Sequence, residues 1–295
     1  MIFMVTRKRT LSSQEEAQLR DVLQTATLAA LMNSRRWEPG DIAFQGGTSL
    51  HLAHGSARFS EDLDFLVRGG LSLKGLSREV QKKLVLPFGM PADLAVSVSP
   101  GKDERNPHSF YVTLSGPQVL GSAKVKVELW QAPGAALQAL VLKVSTIRSS
   151  AGQAFVPTLT LEEIFADKVY ALGGRERIKP RDVFDVWWLC EQGTAPPTAQ
   201  ALLTRLAIYP ASSGQQADTA AVWLDCAQAR LSELQAPTAA THVLQDLRRW
   251  LPSSWPIGPE LVGAMLGLCV QHLGKGMADV RTLPQLVQGV QEPRA

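Results

Sequence analysis

The hydrophobic pattern of this chain changes its period once, and that change limits the folds open to it. Over roughly the first 150 residues, several short segments alternate apolar and polar side chains, as half-buried strands do. From about residue 160 to residue 290 the apolar residues recur at helical spacing, and breaks rich in proline, glycine and serine separate the segments. The pattern predicts an α+β fold, in which a mixed β-sheet with flanking helices is followed by a mostly helical C-terminal region.

The individual segments place a domain boundary near residues 150–160, and we expect domains of 1–155 and 156–295. The N-terminal domain would begin with an amphipathic helix over 12–33, for which Ser13 and Glu16 fit a capping box. Strands are predicted at 41–45, 62–67, 94–99, 108–115 and 123–130, and further helices at 48–55 and 72–86.

Composition narrows the class of protein. The chain has 295 residues, of which 45% are apolar, so it can build a sizeable core. Its net charge of +3 is compatible with an anionic partner without requiring one. The three cysteines are far apart in sequence and indicate neither a disulfide framework nor a zinc site. No segment is long and apolar enough for a signal peptide or a membrane span, so we expect a cytoplasmic protein with no membrane partner.

A double glycine follows the first predicted strand of the sheet. Gly46 and Gly47 permit backbone angles that other residues avoid, and Thr48 and Ser49 add hydroxyl donors. The amides that follow can then point into one cavity at the start of a helix, where the helix dipole favours anions. This arrangement suits a phosphate chain.

Two acids lie on one face of the next strand. In the sequence DLDF, period-2 alternation puts Asp62 and Asp64 on one face, with Leu63 and Phe65 on the other. Carboxylates about 7 Å apart along a strand repel each other unless a cation lies between them. Mg²⁺ prefers oxygen ligands and commonly shares carboxylates with substrate phosphates. The alternative is a surface strand with two solvated acids, but the upstream glycine turn favours a nucleotide site.

A third acid lies on another predicted strand, in the sequence KVKVELW. Its outer face carries Lys124, Lys126, Glu128 and Trp130. Glu128 is either the third carboxylate of the nucleotide site or part of the polar outer face of an antiparallel strand. Adjacency of this strand to residues 62–67 would distinguish the two.

The sequence from 159 to 190 predicts two consecutive helices with charged residues on their apolar faces. Lys168 falls inside an apolar stripe, so it needs a carboxylate or a substrate phosphate as partner unless it snorkels along the helix. The next helix starts at Pro180 and is apolar on most sides. Asp182 and Asp185 share one narrow stripe on it, which suggests a polar cleft, although capping of the first turn is the favoured role for Asp182.

The loop between these helices is cationic. It is either a track for nucleic-acid phosphates or an ordinary solvated turn. Its basic residues are Arg175, Arg177, Lys179 and Arg181.

Four motifs together resemble a known family. Gly46–Gly47–Thr48, then RFSEDLDF, then DKVYAL, then RDVFDVW occur in the order found in the AbiEii-type nucleotidyltransferases. These proteins are toxins of bacterial toxin–antitoxin and phage-defence systems. The resemblance covers roughly residues 40–190, and the helical tail is consistent with it.

The resemblance implies a minimal nucleotidyltransferase core that moves an NMP from an NTP to an RNA acceptor, often the 3′ end of tRNA, and so blocks translation. Asp62 and Asp64 would bind Mg²⁺, with Mn²⁺ as the alternative metal. A cognate antitoxin is expected as a partner. The motifs assign Gly46, Gly47, Thr48, Arg58 and Ser60 to nucleotide phosphates, and Glu128, Lys168 and Asp185 to catalysis.

Three points stay open at this stage. Either Glu128 or Asp185 would accept the proton of the acceptor hydroxyl, while Lys168 offsets charge on the leaving pyrophosphate. The acceptor could instead be a hydroxyl of a protein or a small molecule. A third possibility is a non-catalytic RNA-binding protein that kept the fold.

Overall fold

The computed structural model describes residues 8–101, 106–149, 152–209 and 219–282. The chain divides into two compact units that interleave along the sequence. The first comprises Met1–Gly55, Ser60–Gly134 and Leu142–Thr158, and the second comprises Ser56–Phe59, Ala135–Val141 and Leu159–Ala295. The two domains predicted from the sequence, 1–155 and 156–295, stay a prediction.

The first unit contains the strands. In chain order its elements are β1 (Arg9–Thr10), α1 (Ser13–Met32), β2 (Ile42–Gln45), α2 (Gly46–His54), β3 (Leu63–Arg68), α3 (Leu76–Lys83), β4 (Ala95–Pro100), β5 (His108–Ser115), β6 (Val119–Leu120), β7 (Ala123–Ala132), β8 (Leu142–Ser149) and β9 (Gly152–Leu159).

Seven of the described strands form one mixed sheet in the order β4-β5-β7-β3-β2-β9-β8, and β1 pairs with β6 separately. β3 pairs antiparallel with β2 and parallel with β7, and β2 pairs parallel with β9. In the β3–β7 register Leu63 lies beside Val127 and Asp64 beside Glu128. The two predicted acidic strands are therefore neighbours in the sheet.

Alternating apolar residues place one face of this sheet in the core of the first unit. Leu63 and Phe65 of β3 and Val127 of β7 are fully buried there. α1 contacts β7 and covers this face with buried leucines, among them Leu23. Burial of each such side chain contributes about 1.5–3 kcal/mol before conformational entropy is subtracted.

The predicted capping box of α1 is displaced by one residue. Ser12 is the N-cap: it accepts the N–H of Glu15, and the Glu15 carboxylate accepts the N–H of Ser12. The prediction of Ser13 with Glu16 was therefore wrong. The reason is local, because two consecutive serines are each followed three residues later by a glutamate.

The second unit is helical in its described part. Apart from Gly134, its elements are α4 (Gly134–Gln138), α5 (Leu161–Gly174), α6 (Pro180–Glu191), α7 (Ala199–Ile208), α8 (Thr219–Leu234), α9 (Ala239–Leu247) and α10 (Pro259–Thr282). α5 packs against α6, α7, α8 and α10. It is the central helix because apolar residues on most of its sides are buried.

The predicted fold class is confirmed: a mixed sheet with flanking helices is followed by a helical C-terminal region. None of the helices in the described ranges is long and apolar enough to span a bilayer.

Candidate active site

The double glycine forms a tight corner between β2 and α2. Gly46 adopts φ +77°, in the left-handed region that favours glycine. A Cβ on Gly46 would lie 2.5 Å from Oδ2 of Asp64 and 3.1 Å from its Cβ. Any other side chain at this corner would therefore displace the acid, so the glycine turn and the acidic strand form one local structure.

The first turn of α2 follows directly from this corner. Gly47 and Thr48 are buried, and the N-cap residue Gln45 makes no side-chain capping bond to the helix. The amides of a helix's first turn lack partners within the helix and attract anions. The Thr48 hydroxyl donates a hydrogen bond to the carbonyl of Asp62, so it ties the helix to the acidic segment.

The strand acids are Asp64 of β3, Glu128 of β7 and Asp62, which immediately precedes β3. Asp64 and Glu128 lie on the side of the sheet opposite the core. Leu63 and Phe65 are buried, whereas Asp62, Asp64 and Glu128 are partly exposed. Neighbouring strands in a sheet are about 4.8 Å apart, so the register partners Asp64 and Glu128 are close neighbours. The predicted adjacency of the two strands is observed, and it places Glu128 beside Asp64; the role of Glu128 as a third carboxylate of the site stays a prediction.

A lysine already pairs with one of these acids. Nζ of Lys126 lies 2.5 Å from Oε1 of Glu128, two residues along the same face of β7. This hydrogen bond raises the pKa of Lys126 against a smaller opposing effect of burial, and the charges of Glu128, Tyr111 and Asp62 raise it further. The ammonium is therefore held in the charged form beside the strand acids.

The residues suit a divalent cation by donor type. Three carboxylates supply the hard oxygen ligands that Mg²⁺ prefers. Within the described ranges, no group of three or more His, Cys, Asp or Glu side chains is already assembled as a metal site. Binding of a metal would therefore require carboxylate rearrangement, including release of Glu128 from Lys126.

The second unit contains a separate cluster of buried charges. Arg58 donates from Nε and Nη2 to the two carboxylate oxygens of Asp185 at 2.7 and 2.8 Å. The side chain of Arg58 is 2% exposed and that of Asp185 is completely buried. Arg58, predicted to contact nucleotide phosphate, therefore has a buried carboxylate as its partner.

Lys168 completes this cluster. Its Nζ lies 3.0 Å from Oδ1 of Asp182 and 2.8 Å from Oδ2 of Asp185. The prediction that Lys168 points inward is confirmed, and its partners in the structure are carboxylates. Burial alone would raise the pKa of Asp185, but the charges of Arg58 and Lys168 outweigh it and lower that pKa. Both acids are held as carboxylates.

Asp182 does not cap its helix, and that prediction was wrong. The N-cap is Lys179 with no side-chain capping bond, while the Asp182 carboxylate bonds to Lys168 and lies 3.0 Å from Nε of Arg175. Capping was the weaker attraction because a buried carboxylate gains more from two cations than from a backbone N–H.

The cationic loop is only partly available to a ligand. Arg175 is paired with Asp182, and the guanidinium of Arg181 lies 4.3 Å from the centre of the Trp250 ring. Arg177 and Lys179 are exposed. Ser60, which was also predicted to contact a nucleotide phosphate, accepts a hydrogen bond from the Gln24 side chain at its backbone carbonyl oxygen.

A family model now identifies the chain. The model described as "Nucleotidyl transferase AbiEii toxin, Type IV TA system" matches residues 30–248. The chain belongs to the AbiEii nucleotidyltransferase toxin family. It is therefore a nucleotidyltransferase, and the family assignment predicted from the four motifs is confirmed.

Two solved structures have a similar fold. JHP933 from Helicobacter pylori is 20% identical, with a TM-score of 0.51 over 92% of this chain and 99% of its own. MenT4, a nucleotidyltransferase toxin from Mycobacterium tuberculosis, is 16% identical, with a TM-score of 0.54 over 91% of this chain and 87% of its own. No curated protein matches this AbiEii chain at a significant level.

The sequence interpretation missed one residue that contacts an acid of the candidate site. Lys126 was placed on the outer face of its strand but was given no function. Its spacing of two residues from Glu128 was the available signal, because i and i+2 share one face of a strand.

Proposed function

We propose that this AbiEii protein is a Mg²⁺-dependent toxin that transfers an NMP from an NTP to the 3′ end of tRNA and thereby blocks translation. The observation that carries the proposal is the Asp64–Glu128 register, set directly against the Gly46 corner. This arrangement combines carboxylates with an anion-binding helix start, as a metal-bound triphosphate requires.

Asp62, Asp64 and Glu128 would hold the metal, and a bound metal would neutralise charge on the phosphates. Mn²⁺ is the alternative ion because it also accepts carboxylate ligands. The amides of Gly47 and Thr48, at the first turn of α2, would bind the terminal phosphates.

The reaction is an in-line displacement. The oxygen of the acceptor hydroxyl forms a bond to the α-phosphorus while the bond from that phosphorus to the bridging oxygen breaks, and pyrophosphate leaves. Glu128 would bind the metal through one carboxylate oxygen and accept the hydroxyl proton at the other. Asp185 is the weaker base of the two candidates, because both its oxygens are paired with cations and its pKa is lowered.

The contacts of the buried cluster favour a structural role for three residues that the family resemblance assigns to nucleotide binding or catalysis. Arg58, Lys168 and Asp185 contact one another inside the helical unit, so we propose that their first role is to stabilise that unit. Binding of pyrophosphate by Lys168 stays a prediction. Catalysis in this proposal therefore depends on the strand acids.

The family indicates an antitoxin and an NTP as partners, and the exposed basic residues of the loop between α5 and α6 suggest how an RNA acceptor would bind. A type IV toxin–antitoxin system implies an antitoxin, and a nucleotidyltransferase uses an NTP. For the RNA acceptor we propose the exposed Arg177 and Lys179 as phosphate contacts, since the other two loop arginines have partners within the protein.

The test is a transfer assay with α-³²P-labelled NTPs, each supplied separately with Mg²⁺. Acceptors are total RNA, total protein and a small-molecule extract. We expect label in RNA of tRNA size with the wild type. Asp64→Asn should abolish transfer, whereas Asp21→Asn, which changes an exposed acid of α1, should retain it.

Each alternative function predicts another result. Label in protein or in small molecules would replace RNA as the acceptor. RNA binding without NTP consumption would indicate a non-catalytic protein. Transfer by Asp64→Asn at the wild-type rate would contradict the assigned site.

A further inference from the structure

Lys126 lies on the outer face of β7 between Lys124 and Glu128, where the proposed reaction gives it no role. Its ammonium is 2.5 Å from Glu128, the register partner of Asp64. The pair is accessible, because the side chain of Lys126 is 32% exposed and that of Glu128 is 27% exposed. A ligand that approaches the strand acids therefore meets this ammonium as well.

The neighbouring lysine on the same face has different surroundings. Nζ of Lys124 lies 3.9 Å from the centre of the Tyr111 ring, a cation–π contact. Lys124 is one strand repeat further from Glu128 than Lys126 is, which corresponds to about 7 Å. The two lysines thus share a strand, a face and a charge, but the ammonium of Lys126 is the one paired with Glu128.

Lys126 and a divalent cation compete for the same oxygen. Glu128 cannot give that oxygen fully to a metal ion while it accepts the short hydrogen bond from Lys126. Once released, the ammonium is a strongly hydrated charge on a flexible four-carbon stem, and it can reach a new anion nearby. A triphosphate bound beside these acids would be that anion.

We propose that Lys126 is a nucleotide-binding residue that exchanges partners. Lys126 neutralises Glu128 before the substrate binds, and it moves to the triphosphate when Glu128 becomes a metal ligand. This inference rests on the proposed function of the strand acids as the metal and nucleotide site. The exchange predicts that removal of the Lys126 ammonium strengthens binding of a divalent cation and weakens binding of the triphosphate.

The test measures binding in the absence of transfer. Isothermal titration calorimetry is run on the full chain with MnCl₂ alone, and separately with inorganic triphosphate in the presence of Mg²⁺. In Lys126→Met, Mn²⁺ should bind about threefold to fivefold more tightly, because a partly exposed ion pair no longer competes. Magnesium triphosphate should bind about tenfold more weakly, because a charge-assisted hydrogen bond is lost.

Matched variants separate this role from a structural one. Lys124→Met removes a lysine from the same face and should leave both affinities unchanged. Lys126→Arg keeps the charge and should shift both affinities less than Lys126→Met does. Circular dichroism checks folding, and Lys126→Gln replaces the Met variant if that variant does not fold.

The outcomes distinguish this inference from the proposed function. Affinities in Lys126→Met that both equal the wild-type values, or that both fall, would overturn the partner exchange. A wild-type chain that binds neither Mn²⁺ nor triphosphate would overturn it too. If the opposite shifts are observed but no RNA is labelled in the transfer assay, the inference about Lys126 stands and the RNA acceptor is wrong.

Discussion

Replacement of Gly46 by alanine tests whether the glycine corner positions Asp64, which we propose as a metal ligand. Gly46 and Gly55 lie at the two ends of α2 with nearly equal φ angles of +77° and +81°. An alanine costs about 1–2 kcal/mol at either position, because L-residues are strained in this region. At Gly55 a Cβ has nothing within 4 Å, whereas at Gly46 it would meet the Asp64 carboxylate at 2.5 Å.

The added methyl group should therefore act on activity only at Gly46. Ordinary contact begins at 3.4 Å, and the Cβ and Cγ of Asp64 are themselves at 3.1 and 3.2 Å, so rotation of one oxygen does not relieve the clash. A displacement of the acid by about 1 Å should lower kcat/KM by about 10²-fold.

The assay is nucleotide transfer by Gly46→Ala and Gly55→Ala, with urea unfolding of each. We expect both variants to lose stability, with an additional loss of about 1–3 kcal/mol from overpacking in Gly46→Ala. Only Gly46→Ala should lose most of its transfer activity. Equal activity in the two variants would refute the inference that the corner sets the position of Asp64.

Further predictions concern the helical unit. Arg58→Met should lower the free energy of unfolding by about 3–5 kcal/mol, because it leaves the carboxylate of Asp185 buried with one cation fewer. Lys275→Met, which breaks an exposed i,i+4 pair, should cost about 0.5 kcal/mol, and equal urea midpoints would contradict the role of the buried pair. The folded-state pKa of Asp185 is lowered, so its contribution is complete above about pH 5 and is lost as pH falls through that pKa. The stability difference between the wild type and Asp185→Asn should therefore shrink between pH 5 and pH 2, and a constant difference would contradict this. Gly173→Ala should lower the free energy of unfolding, measured in urea, by about 1–3 kcal/mol, because its Cβ would lie 2.7 Å from the Trp223 ring. An unchanged urea midpoint would contradict this and would mean that α8 shifts to accommodate the methyl group.

Alternation predicted the strands whose apolar residues face the core, and it failed where that pattern is inverted. β8 and β9 were not among the predicted strands. In β8 the exposed face carries Val144, 70% exposed, while Ser145 is buried. In β9 Phe155 is 57% exposed, and Pro157 lies within the strand although it has no N–H to donate to a neighbouring strand. In such segments the alternation of apolar and polar residues does not indicate which face of the strand is buried. Only pairing with strands distant in sequence identifies them as strands.

Side-chain pairs of the buried cluster were likewise easier to predict when the two residues are close in sequence. Lys168 and Asp182 are 14 residues apart on consecutive helices, and an inward lysine facing an acidic stripe predicts their pairing. Arg58 and Asp185 are 127 residues apart, and nothing in the local pattern of either residue indicates the other. Sequence therefore predicted the residue types of both clusters but not the partner of Arg58.

Charge balance gives the two clusters different capacities for chemistry. Asp185 has one guanidinium and one ammonium within hydrogen-bond distance, and burial excludes water, so replacing either cation by a substrate phosphate would leave a buried negative charge. Glu128 has Lys126 beside it in a partly exposed position, where a divalent cation can replace the ammonium while water compensates the change. This difference in counter-ions supports the stabilising role that we propose for the buried cluster and the reactive role that we propose for the strand acids. For this reason we expect transfer activity to respond to substitutions on β3 and β7 in proteins that remain stable, and substitutions in the buried cluster to act first on stability.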